Sequence, residues 1–166
     1  MLRKATFSED KKHRYVLWRL WDSSKPYAMA IGLNPSKDDS ERDDHTIRIL
    51  RDRLQSLGYG GFAMCNLFTI ISSDPNILLN PIVDAEGPAD MWLETTAHTV
   101  QDVIFCWGIF SEAKERASKV IKMFPDAKCF GKAKDGSPWH PRALHYKGIT
   151  SDKVSLVKYD GTVMPF

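Results

Sequence analysis

Residues Tyr27 to Leu33 form an uninterrupted apolar run that stops at Asn34-Pro35-Ser36. A strand that is apolar at every position has both faces covered, as in the middle of a parallel sheet rather than at a solvated edge. Three shorter runs follow the same plan. Phe62 to Cys65 ends in Asn66, Val103 to Trp107 is closed by Gly108, and Ala127 to Phe130 is closed by Gly131. Helical patterns fill the gaps between them. This alternation predicts an α/β fold: a three-layer open sheet with a four-stranded parallel core and right-handed crossovers. Near the N-terminus, Tyr15 to Trp21 is rich in aromatic and β-branched residues, and Thr6 to Ser8 can pair with it across Glu9 to His13. Antiparallel strands are therefore expected ahead of the parallel core.

The helices are legible from apolar spacing. Ile47, Leu50, Leu54 and Leu57 mark the first, with Asp43 or Asp44 as its cap and Gly58 as the left-handed residue after it. Pro88 opens the second, whose buried stripe is Ala89, Trp92, Leu93, Ala97 and Val100. Ser111 is expected to cap the third, over Ala113, Ala117, Val120, Ile121 and Phe124. Gly131 to Pro141 reads as a polar loop, and Val154 to Val163 as a further edge strand. No linker or repeat divides the 166 residues, so one domain over 1–166 is expected.

Composition narrows the class of protein. Hydrophobic residues make up 43% and charged residues 27%, the proportions of a globular chain with an ordinary core. The first residues, Met1-Leu2-Arg3-Lys4, lack the apolar core of a secretory signal, and no apolar run approaches the ~20 residues that span a bilayer. A cytoplasmic location without membrane contact is expected. Cys65, Cys106 and Cys129 are too far apart for a zinc site or a redox pair, and read as small core residues of a reducing compartment. No metal-ligand pairing joins His13, His45, His98 and His145, and no Gly-rich dinucleotide or Walker loop is present, so neither metal nor cofactor is expected. Charge is uneven. Residues 128 to 158 carry seven basic side chains against two acidic ones, a net +5 that leaves −3 for the remainder of a chain of total charge +2. That basic stretch can approach phosphate or be an ordinary solvated face. The loop holding Asp38, Asp39, Glu41, Asp43 and Asp44 is acidic.

Ligands of open parallel sheets sit beyond the carboxyl ends of the strands. Those ends hold Asn34-Pro35-Ser36, Asn66-Leu67-Phe68 and Trp107-Gly108, and the polar loop after the fourth strand holds His140-Pro141. In this order the set resembles the uracil-DNA glycosylase superfamily, with its Gly-x-Asn-Pro or Gly-x-Asp-Pro motif, a strand ending in Asn, a Trp-Gly and a late His-Pro. The matching residues are Gly32-Leu33-Asn34-Pro35-Ser36, Cys65-Asn66-Leu67-Phe68, Trp107-Gly108 with Ser111-Glu112-Ala113 behind it, and His140-Pro141. Over roughly residues 14 to 145 the chain also resembles a functionally uncharacterised family of bacterial and phage proteins. That family carries Leu-Asn-Pro-Ser, Asp-Asp-x-Thr-Ile-Arg, Gly-Tyr-Gly-Gly, Asn-Leu-Phe and His-Pro.

The glycosylase resemblance implies an α/β fold of that type and cleavage of an N-glycosidic bond, through a sugar of oxocarbenium character and a departing base anion. It implies Asn34 and His140 as catalytic residues: Asn34 to position water, His140 to stabilise charge on the leaving group. Substrate binding would fall to Ser36 at a phosphate, Asn66 at the base edge, Phe68 as a stacking face, and Trp107, Gly108 and Arg142 around them. Each residue also has a structural reading. Asn34 can form an Asx-turn, Asn66 can terminate its strand, Phe68 can be a core aromatic, and Trp107-Gly108 can be packing and a tight turn. The Asp43-Asp44 pair reads as a helix cap in preference to an acid catalyst. Where many glycosylases have serine and a DNA-penetrating apolar side chain, this sequence has Arg142-Ala143-Leu144, with Leu144 as the candidate wedge. The expected partner is a nucleic acid or a nucleotide. The competing expectations are a non-catalytic module that binds the same ligands and a small-molecule transferase or hydrolase on a similar sheet.

Overall fold

A computed structural model of the protein describes residues 1–37, 42–79 and 86–160. Its strands are β1 (Leu2–Phe7), β2 (Arg14–Leu20), β3 (Tyr27–Gly32), β4 (Gly61–Asn66), β5 (Asp102–Phe105), β6 (Lys128–Cys129) and β7 (Val157–Lys158). Its helices are α1 (His45–Ser56), α2 (Glu86–Ala97), α3 (Lys114–Met123) and α4 (Pro141–Tyr146). One mixed sheet runs in the order β1-β2-β4-β3-β5-β6-β7. The four central strands β4, β3, β5 and β6 are mutually parallel, whereas β1 and β2 add antiparallel on one side and β7 on the other.

The fully apolar β3 lies between β4 and β5, and side-chain alternation divides its burden between two cores. Met29 and Ile31 face a layer with Leu93 of α2 and Ala117 and Val120 of α3. Ala28 and Ala30 face the other layer, with Leu50 and Leu54 of α1 and Leu144 of α4. Helices thus cover both faces of the central strands. Among the described residues, no helix is long and apolar enough to cross a membrane.

Several local expectations are corrected. The N-terminal hairpin is longer than the sequence suggested, with Leu2 to Phe7 in register against β2. The third strand stops at Phe105, and Val100 lies beyond the end of α2. Ser111 makes no helix cap; its hydroxyl donates to Glu112, and a 3-10 turn over Ser111–Ala113 leads into α3 instead. The tail contributes only Val157–Lys158, and its expected end at Val163 lies outside the described residues. Leu144 is 1% exposed within the core under α4, so it cannot act as a wedge into DNA.

Asp43 and Asp44 divide their work. Asp44 caps α1, its Oδ1 accepting from the Ile47 N–H at 2.8 Å. Asp43 gathers three guanidinium groups: Arg3 of β1 at 2.6 Å, Arg19 of β2 at 2.7 Å and Arg51 of α1 at 3.1 Å. Arg19 is fully buried. Burial pushes the Asp43 carboxyl up, but hydrogen bonds and charge from Arg19 and Arg3 prevail and hold it below the usual carboxylate range. Removing one partner of a buried pair leaves the other charge uncompensated, at a cost of about 3–5 kcal/mol. Asp43→Asn should therefore lower stability by about 3 kcal/mol in urea unfolding at pH 7. Because the folded-state value is depressed, this stabilisation is complete above the unfolded value of ~3.9 and disappears as pH falls through the lower folded value. The gap between wild type and Asp43→Asn should narrow in that acid range; an equal unfolding midpoint for the two proteins at pH 7 would refute the hub.

Candidate functional site

Parallel register brings the strand ends to one rim. Gly32 pairs with Asn66, Ile31 with Phe105 and Phe105 with Cys129, so the segments leaving β3, β4, β5 and β6 emerge side by side. Ladder-like bonds extend past β4, from the Leu67 N–H to the Gly32 carbonyl and from the Phe68 N–H to the Leu33 carbonyl. Between the rim and the start of α1 lies a cleft of about 630 Å³. That volume lies within the range of small-molecule sites. Asn34, Ser36, Asn66, Trp107, His140 and Arg142 all line it.

Asn66 is the most informative of these. It is 4% exposed, yet no side chain or backbone group among the described residues hydrogen-bonds its amide. Asn66 lines the cleft, and its amide offers a donor and an acceptor that no other described residue engages. Gly32 makes room for it: a Cβ there would lie 2.9 Å from the Asn66 Oδ1. The turn beyond is held by buried Arg116, whose Nε donates to the Leu67 carbonyl at 2.8 Å and whose Nη1 pairs with Asp90.

Asn34 is tied to the facing loop. Its Nδ2 donates to the carbonyls of Ser72 at 2.9 Å, Pro35 at 3.3 Å and Ile70 at 3.4 Å, leaving Oδ1 as its remaining acceptor. The Ser36 hydroxyl donates to the Asp44 Oδ2 at 3.0 Å, joining the loop after β3 to the helix it precedes. The first turn of α1 then lines the cleft with Asp44, His45, Thr46, Ile47 and Arg48. Of the acidic loop, Asp38, Asp39 and Glu41 lie outside the described residues, and Asp43 is occupied by arginines.

His140 caps α4. Its Nδ1 accepts from the Arg142 N–H at 3.1 Å, which places the proton of a neutral imidazole on Nε2. Burial lowers its pKa first and the Arg142 charge second, with Asp44 opposing them. The ring is thus a neutral donor at pH 7. Gly108, at φ +78°, lets the chain turn beside it; a Cβ there would come within 3.1 Å of the His140 Cβ. Gly108 abuts this histidine without lining the cleft itself.

Phe68 is not brought to the cleft; it packs against the core under α2 and α3. Trp107 lines the cleft but is 5% exposed, and its ring tilts against Phe105 at 4.7 Å between centroids. The cysteines are buried and free, none lines the cleft, and burial pushes the Cys65 and Cys106 thiols up to about 12. Among the described residues, no cluster of His, Cys, Asp or Glu has the geometry to hold a metal.

Sequence reasoning missed Arg14 and Arg48. Arg14, at the first position of β2, is 5% exposed and lines the cleft, and Arg48 lines it from α1. Its one signal was a cation at the edge of an otherwise aromatic strand. With Arg142, three arginines face the cleft; among the described residues the one carboxylate lining it is Asp44, whose two oxygens are both engaged. The cleft is therefore suited to a ligand that combines an amide-like edge with negative charge.

Fold and site together define an open-sheet α/β protein with a polar cleft at the carboxyl ends of its parallel strands. The chain belongs to the family described as protein of unknown function DUF1643, whose model matches residues 14–142. No curated protein and no solved structure gives a significant match.

The environment of His140 is directly testable. Long-range proton–nitrogen NMR should report the Nε2–H tautomer and titration below the ordinary ~6.5 of histidine. Arg142→Gln should raise the midpoint and Asp44→Asn should lower it. An Nδ1–H tautomer at neutral pH would contradict the cap geometry.

Proposed function

We propose that the cleft binds a nucleobase and that the protein is a glycosylase-like hydrolase of an N-glycosidic bond, in DNA or in a nucleotide. The amide of Asn66, lining the cleft with no hydrogen-bond partner among the described residues, carries this reading. A single amide can both donate to and accept from the edge of a base such as uracil. We propose with it a uracil-DNA-glycosylase-like arrangement, supported by the rim order of Asn34, Asn66, Trp107 and His140 on successive strand ends and the loop beyond them. A cytoplasmic place for the protein belongs to the same proposal, in keeping with three free cysteines.

The chemistry follows from the residues. The C1′–N bond breaks with its electron pair passing to the base, while the His140 Nε2–H donates to the base oxygen on which negative charge gathers. A neutral donor suits this step because it strengthens its bond as charge develops without giving up its proton. Water adds its oxygen to C1′, oriented by the Asn34 Oδ1, and the proton it loses neutralises the departed base. A neutral amide suffices here because a sugar of oxocarbenium character needs a placed water rather than a strong base. Arg14 and Arg48 suit a phosphate on the substrate.

A second reading, a binding module without turnover, is favoured by one observation. Both oxygens of Asp44, the carboxylate that lines the cleft among the described residues, are already hydrogen-bonded. One experiment separates the two readings: incubation with DNA and nucleotides bearing uracil or modified bases, with released base measured by mass spectrometry. The hydrolase reading predicts release that falls at least 100-fold in an Asn34→Ala, His140→Ala double variant, of the order lost with general acid–base or oxyanion donors. Affinity without release would establish the binding module, and release unchanged in the double variant would remove the mechanism.

A further inference from the structure

His140 is a wall shared by two cavities. One face borders the nucleobase cleft; beyond it lies a separate groove of about 650 Å³ that reaches Lys134, Trp139 and Lys147. The groove combines an apolar floor with a basic rim. Trp139 and Ile109, the latter 70% exposed, supply the floor. Lys147 sits with its ammonium 4.8 Å from the centre of the Trp139 ring, a cation–π contact that holds the charge at the groove. Among the described residues, no carboxylate lies within 4.0 Å of the charged groups of Lys134, Lys147 or Arg142. The acid that lines the groove, Asp135, is occupied by the Ser137 N–H and hydroxyl at 2.9 and 3.0 Å. Arg142 lines the cleft on the other side of His140, in the first turn of α4, and Lys147 follows the last residue of that helix.

We propose that this groove carries a single polynucleotide strand, whose target base enters the cleft past His140 while the neighbouring phosphates meet Arg142, Lys147 and Lys134. The inference rests on the nucleobase reading of the cleft and adds the substrate class: a strand rather than a free nucleotide, and single rather than paired. Charge complementarity and continuity argue for it. Lys134 and Lys147 in the groove and Arg142 in the cleft across His140, none paired with a carboxylate among the described residues, fit a repeating polyanion better than one phosphate. The aromatic and aliphatic floor fits the exposed faces of unpaired bases, the usual combination in single-strand grooves. Asn66 lies buried at the cleft wall, and a base still stacked and paired in a duplex cannot reach it.

The test measures binding of fluorescein-labelled single-stranded dT12 by anisotropy, with a dT12·dA12 duplex and thymidine monophosphate as competitors, from 50 to 200 mM salt. Wild type should bind the strand at least tenfold more tightly than the mononucleotide and more tightly than the duplex. About three phosphate contacts predict a log–log salt slope near −2 for a single strand. Lys134→Gln with Lys147→Gln should weaken strand binding about tenfold and reduce the slope by about 1.4, while competition by the mononucleotide for the cleft persists. Equal affinity for strand and mononucleotide, preference for the duplex, or a slope unchanged in the double-lysine variant would overturn the proposal. Strand binding that depends on the lysines but is unaltered by Asn66→Ala would retain the groove and sink the nucleobase cleft, so the two failures are distinguishable.

Discussion

Asp43 fastens the antiparallel edge of the sheet to one wall of the cleft. Its carboxylate draws together Arg3 on β1, Arg19 on β2 and Arg51 on α1. The adjacent Asp44 fixes the first turn of α1 and accepts the Ser36 hydroxyl from the loop after β3. Two consecutive carboxylates thus set where α1 begins, and with it the side of the cleft that carries His45 and Arg48. Buried ionic contacts of this kind stabilise only while complete, because each charge has given up its water. The local geometry of the cleft is consequently tied to the integrity of the strand pairing beside it.

From that anchor the cleft is a product of register. Parallel pairing aligns the strand ends, and two glycines let functional side chains approach the backbone: Gly32 beneath Asn66 and Gly108 beside His140. Asn34 then ties the rim to the loop near Ser72 through its amide nitrogen. What faces the cleft is an amide without a partner among the described residues, a neutral imidazole with its proton on Nε2, and guanidinium groups. These are groups that recognise and stabilise charge without themselves transferring strong acid or base.

Much of the architecture could be read from the residues. The uninterrupted apolar run of β3 announced a doubly covered strand, and the recurring strand–helix spacing announced the parallel core. The gathering of Asn34, Asn66 and His140 followed from topology, since parallel strands deliver their ends to one side. Three things were not legible. Arg19 lies three residues from Asp22 in the sequence, yet it pairs with Asp43 across 24 residues, a choice of partner that only the folded chain creates. Phe68 follows Asn66 by two positions, and local spacing does not reveal that the chain has turned it toward the core. Leu144 had the position of a surface wedge, but the short α4 packs against α1, which buries it.

The central claim of the proposed function is that the Asn66 amide, free of partners among the described residues, meets a nucleobase. Side-chain amide NMR of nitrogen-15-labelled protein, titrated with free uracil, thymine, cytosine, adenine and guanine, tests it most directly. The account predicts saturable shifts of the Asn66 side-chain NH₂ pair with at least one base, accompanied by the His140 ring. If no base moves the Asn66 resonances, or if bases shift only residues away from the cleft, the account is contradicted.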